Sequence, residues 1–98
     1  MGRYLVLWEI DSSRSPVDAK ERVAGWSLLQ EMVKQDIKSG ITKDNGQFVG
    51  ELSGYSIMEG TEVEVGSTLV KYFPYVNFKL HAVLSVSQVG EILKKISG

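Results

Sequence analysis

His81 is the only histidine in the chain, and there is no cysteine, so any acid–base chemistry near neutral pH has to centre on that imidazole. It lies on a stretch, Val76–Leu84, that alternates apolar and polar residues as a strand does, with Asn77, Lys79, His81 and Val83 sharing one face. Antiparallel to a first strand and with Tyr4 near Leu84, this stretch sets Leu7 against His81 and Glu9 against Lys79. In the chemical reading His81 is a general acid or base, Glu9 and Glu51 tune it, and Lys79 holds an anionic substrate. Leu7 and Ser56 complete the wall of a small site. The competing reading makes Glu9 and Lys79 an ordinary cross-strand ion pair and leaves His81 in a seam between subunits. A lone histidine serves structure more often than catalysis, so the second reading carries more weight. A metal site is disfavoured by the absence of thiolates and of any ligand spacing. The glycines at 46, 50, 54 and 60 punctuate turns and strands rather than opening a helix as a phosphate loop does. No cofactor is expected.

The elements that position these residues follow from periodicity. Arg3–Ile10 is a strand apolar on both faces, with Tyr4, Val6, Trp8 and Ile10 on one and Leu5 and Leu7 beside Glu9 on the other. Such a strand belongs in the interior of a sheet covered on both sides. Ser15, Pro16 and Asp18 announce a helix over about 16–39 with the stripe Ala19, Val23, Trp26, Leu29, Val33 and Ile37, ended by Gly40. Gly25, Leu28 and Met32 form a smaller patch on its far side, a possible docking face for a larger partner. Asp44-Asn45-Gly46 reads as a turn, Gln47–Glu51 as strand 2, Leu52-Ser53-Gly54 as a hairpin and Tyr55–Glu59 as strand 3. This alignment sets Phe48 opposite Ile57 and Gly50 opposite Tyr55, the glycine leaving room for the ring. Thr61 and Glu64 make a capping box for a second helix to about Tyr72, with Gly66 allowing close approach to the sheet and Pro74 stopping it. Ser85 and Gln88 cap a third helix with the stripe Val86, Val89, Leu93 and Ile96.

The order β-α-β-β-α-β-α predicts a single α+β domain over residues 1–98. Its expected form is ferredoxin-like, a four-stranded antiparallel sheet in the order 4-1-3-2 with both long helices on one face and an extra C-terminal helix. The richer apolar face, Val6, Trp8, Ile10, Phe48, Tyr55, Ile57, Phe78, Leu80, Ala82 and Leu84, is assigned to the helices. The open face then carries Leu5, Leu7, Val49, Met58 and Val83 among Glu9, Gln47, Glu51, Ser56, Lys79 and His81. Its aliphatic residues need a cover. The third helix could supply part, whereas a second copy pairing sheet to sheet could supply all, and the homodimer is the expectation. A slip of one residue in the hairpin would turn Tyr55 to the open face.

With 11 basic and 12 acidic residues the net charge is −1, and the open face has no aromatics on strands 1 and 3, so nucleic acid is not an expected partner. The apolar run Tyr4–Trp8 is too short for a membrane span or a signal segment, and the expected location is cytoplasmic.

The βαββαβ order, the first strand ending Leu7-Trp8-Glu9 and the hairpin Val49-Gly50-Glu51 … Gly54-Tyr55 resemble the dimeric α+β barrel superfamily. Within it the chain looks most like the small, largely uncharacterised muconolactone-isomerase-like proteins. The resemblance implies a homodimer with a cleft over the open sheet face for a small, partly apolar molecule. It also implies an alternative, a cofactor-free isomerase or monooxygenase acting on a small cyclic or aromatic compound. It transfers no catalytic residue to a position in this sequence.

Overall fold

The computed structural model describes residues 2–98. The elements are β1 (Gly2–Ile10), α1 (Ala19–Ser39), β2 (Thr42–Gln47), β3 (Ser53–Gly60), α2 (Glu62–Val70), β4 (Val76–Val83) and α3 (Val86–Ser97), with a single 3-10 turn at Ser12–Arg14. The four strands form one antiparallel sheet in the order β2-β3-β1-β4, which places β1 in the interior as its two-sided apolarity requires. The core lies on one face, where Val6 and Met58 of the sheet meet Val65 and Leu69 of α2, with Tyr4, Ile41 and Phe78 packed around them.

Caps end the helices much as the residue types dictate. Gly40 takes the left-handed conformation (φ 91°) that closes α1. Thr61 and Glu64 exchange both hydrogen bonds of a capping box, and the Thr61 backbone N–H, with its hydroxyl, holds the Glu64 carboxyl below its ordinary range. Ser85 and Gln88 repeat the device on α3. The first helix starts three residues later than Ser15-Pro16 suggests. Ser15 turns its hydroxyl back to the Asp11 carbonyl, and Asp18 occupies the N-cap without a side-chain bond. On α2, Phe73 is exposed rather than part of the buried stripe, and Gly66 meets nothing that a Cβ would touch, so it allows no close approach.

The principal departure from expectation is β2. The segment Thr42–Gln47 is an edge strand, not a loop, and the turn falls at Phe48–Glu51. Asp44 and Asn45 favour turns because their side chains bond to local backbone. Here one Asp44 carboxylate oxygen still takes the local Asn45 backbone N–H, but the other takes the Tyr55 hydroxyl (2.8 Å) and the Asn45 carboxamide takes the Ser56 hydroxyl, both across the ladder. The turn uses the positive φ of Gly50 (80°) at its third position, with the Glu51 N–H donating to the Phe48 carbonyl.

Moving the turn changes the parity of β3. Met58, Ser56 and Gly54 pair with Tyr4, Val6 and Trp8 and so lie on the helix-covered face, whereas Ile57 and Tyr55 pair with Leu5 and Leu7 on the open one. The assignments of Tyr55 and Ile57 to the core, and of Ser56 and Met58 to the open face, are therefore reversed. A glycine does stand opposite Tyr55, but it is Gly46, whose Cβ would lie 2.5 Å from the ring. Gly54 is tighter: a Cβ there would sit 2.0 Å from the Gly46 carbonyl oxygen and 2.5 Å from the Trp8 indole.

These contacts give opposite expectations for two glycines. Gly54→Ala forces backbone and indole apart and should cost roughly 3 kcal/mol in urea unfolding. Gly25→Ala, in mid-helix with open space at its Cβ, should add about 0.5–1 kcal/mol. Equal effects of the two substitutions would contradict this packing.

Candidate functional site

The six residues expected to form a site are divided between faces. On β4, Lys79 pairs with Leu7 and His81 with Leu5, while Glu9 stands opposite Asn77. The β1–β4 register is thus two residues from the one that set His81 against Leu7 and Glu9 against Lys79. Glu9 and Lys79 are diagonal neighbours and make no ion pair among the described residues. Lys79, His81 and Glu9 are exposed and Leu7 is half-buried. Glu51 lies in the hairpin loop, where its carboxylate accepts from the Ser53 hydroxyl and its carbonyl from the Gln47 amide. Ser56 is buried on the opposite face.

That face carries a cleft. It has a volume of about 590 Å³ and runs between α1 and the sheet. One wall is Trp26, Leu29 and Val33 of α1, and the floor is Trp8, Ile10, Val76 and Phe78 with Leu52 at the hairpin. Of the six expected residues only Ser56 lines it. Trp8 is held flat over Gly54, its indole N–H donating to the Tyr55 carbonyl at 3.2 Å. Trp8 and Trp26 thus serve the cleft rather than a sealed core.

The cleft exists because α1 is anchored at one end. Asp36, in its last turns, is 4% exposed. Lys71 Nζ lies 2.7 Å from one carboxylate oxygen and the Tyr72 hydroxyl donates to the other. Burial, with the bond to Asp36, pushes the Tyr72 phenol far up from its ordinary value, so it stays a protonated donor. Closer to its start the helix stands off the sheet: Val23 is 57% exposed and Trp26 37%. Ile37, expected on the buried stripe, is also exposed, and Asp36 takes that place. The spacing Trp26, Leu29, Val33, Asp36 carried this signal, a carboxylate continuing an apolar stripe.

The polar end of the cleft has Thr42, Asn45, Ser56, Asp36 and Tyr72. Ser56 donates to the Asn45 side-chain carbonyl, which orients the Asn45 amide as a donor. Among the described residues no partner takes those N–H groups, so the cleft offers a hydrogen-bond donor beside aromatic walls. The two ionisable groups on its lining, Asp36 and Tyr72, are bonded to each other. Elsewhere, the bond to Asp44 pushes the Tyr55 phenol up on the open face.

No family model matches the chain, and no curated protein matches it.

Removing the carboxylate leaves a buried phenol and an ammonium without their acceptor, so Asp36→Ala should cost about 2–3 kcal/mol in chemical unfolding. The raised phenol pKa gives a pH signature. A protonated, bonded Tyr72 contributes fully below the ordinary value of 10.0, and its contribution falls as pH rises beyond that toward the folded-state value. The stability difference between the native chain and Tyr72→Phe should therefore be flat through neutrality and shrink above pH 10.0; a difference that grows with pH would contradict the bond.

Proposed function

We propose that this protein is a homodimeric binding module of ferredoxin-like, dimeric-barrel type, holding a small, partly apolar molecule in the cleft beneath α1. The observation that carries the reading is a cleft of about 590 Å³, within the range of small-molecule sites, with aromatic walls and one oriented amide donor. A flat molecule between Trp8, Trp26 and Phe78 would bury its faces and present one acceptor to Asn45. Binding is favoured over turnover because the ionisable groups lining the cleft are committed to each other, while His81, Glu9 and Glu51 lie outside it.

The dimer is supported by the other face. Leu5, Leu7, Tyr55 and Ile57 form an apolar centre there, and neither α1 nor α2, which pack on the core side, covers it. Two copies stacked face to face would enclose it, with Lys79 and His81 at the margin.

Small aromatic carbonyl compounds should quench tryptophan emission saturably. Trp26→Ala should weaken that binding at least tenfold and Asn45→Ala severalfold, with His81→Ala without effect. Loss of binding on His81→Ala, with Trp26→Ala harmless, would move the site to the open face. In sedimentation the native chain should run at twice the chain mass and Leu7→Glu at the chain mass; a native monomer at micromolar concentration would overturn the dimer.

A further inference from the structure

An unbroken strand would turn Thr42 and Asn45, three residues apart, to opposite faces of the sheet. β2 is not unbroken. Its register slips between Thr42 and Asp44, so that Thr42 pairs with Met58 and Asn45 with Ser56, both on the covered face of β3. The slip is a bulge that absorbs one extra residue at Lys43, which is exposed. Bulges of this kind re-aim side chains. Here the result is a hydroxyl and an amide on the same face, at the polar end of the cleft.

Thr42 is 5% exposed, yet among the described residues nothing bonds to its hydroxyl. No side-chain oxygen or nitrogen among them is sealed off without a partner. The hydroxyl therefore reaches open space, and the cleft is the opening that Thr42 lines. Asn45 is half-buried, and its side-chain carbonyl is occupied by Ser56. The two residues thus offer two donors to the cleft from backbone positions about 7 Å apart, two steps along β3. Charge on the lining is confined to Asp36, already bound to Lys71 and Tyr72. Among the described residues no lysine, arginine or histidine lines the cleft. An anion entering it would leave water for aromatic walls with no cation to receive it.

We propose that Thr42 and Asn45 are a two-point clamp that determines which molecule the cleft holds. The molecule is flat and uncharged, with two acceptor oxygens on one edge as in a cyclic imide, and its carboxylate counterpart is rejected. Asn45 takes one oxygen and Thr42 the other, while the rings lie between Trp8, Trp26 and Phe78. A ligand with a single oxygen satisfies Asn45 alone and leaves a nearly buried hydroxyl unmatched, which lowers its affinity. The clamp rests on the cleft being a binding site, whereas the bulge that forms it does not.

Calorimetry with three related probes reads the clamp. N-methylphthalimide has two carbonyl oxygens on one edge, 2-methylisoindolin-1-one has one, and N-methylphthalamate is the ring-opened carboxylate. The native chain should bind the imide about fivefold more tightly than the lactam, the worth of one hydrogen bond, and roughly tenfold more tightly than the carboxylate. Thr42→Val, which keeps the shape of the side chain, should bring the imide down to the level of the lactam and leave the lactam unaffected. Thr42→Ser should retain the difference. Asn45→Asp still accepts from Ser56 but can no longer donate, and it should weaken imide and lactam alike. Three results would overturn the clamp while leaving the cleft a binding site: equal native affinities for imide and lactam, an equal loss of both in Thr42→Val, or a carboxylate bound as tightly as the imide. Failure of all three probes to bind, or imide binding that Trp26→Ala leaves intact, would overturn the cleft itself as the site, and the clamp with it.

Discussion

A carboxylate cannot be withdrawn from water unless other groups replace its hydration, and Asp36 is the place where this chain meets that requirement. Lys71 and Tyr72 supply the replacement from just beyond the end of α2. The three side chains tie the end of α1 to the junction between α2 and β4, across 35 and 36 residues of sequence. Everything on that side of the sheet follows from the tie. One end of α1 is held down, the rest has only a sparse row of apolar residues, and the wedge left beneath becomes the cleft.

The two faces of the sheet then divide the work. The covered face has a small sealed core at Val6, Met58, Val65 and Leu69 and an open cleft beside it. The other has half-buried aliphatic and aromatic residues at its centre and charged ones at the β4 edge. Interior position of β1 links them, since Trp8 looks into the cleft while Leu7, its neighbour, looks the other way. Charge on the open face, His81 included, lies along the β4 edge.

Much of this was legible in the residues. Two-sided apolarity of Arg3–Ile10 placed β1 inside the sheet, and the order of elements led to the strand order that the structure has. Capping boxes at Thr61–Glu64 and Ser85–Gln88 and the glycine after α1 marked helix ends by local hydrogen bonding, which the surroundings seldom override. What escaped was whatever depends on partners distant in sequence. Asp44-Asn45-Gly46 carries turn chemistry, yet Tyr55 and Ser56 satisfy the two side chains from the next strand and make the segment an edge. That relocation flips the parity of β3, which is why Ser56 and Tyr55 exchanged faces. Asp36 was passed over because its two partners lie on elements that meet α1 only in the folded chain. The stripe of α3 was legible, but sequence says only that it wants a cover, not whose.

The anchoring of α1 at one end is most directly tested by native-state hydrogen exchange along the helix. Amides from Val33 to Ser39, around the Asp36 tie, should be protected close to the level of the β1 and β3 core, while those from Arg22 to Gln30, over the cleft, should exchange through openings that cost far less. Uniform protection from one end of the helix to the other would contradict the account, because a helix held evenly along its length leaves no wedge beneath it.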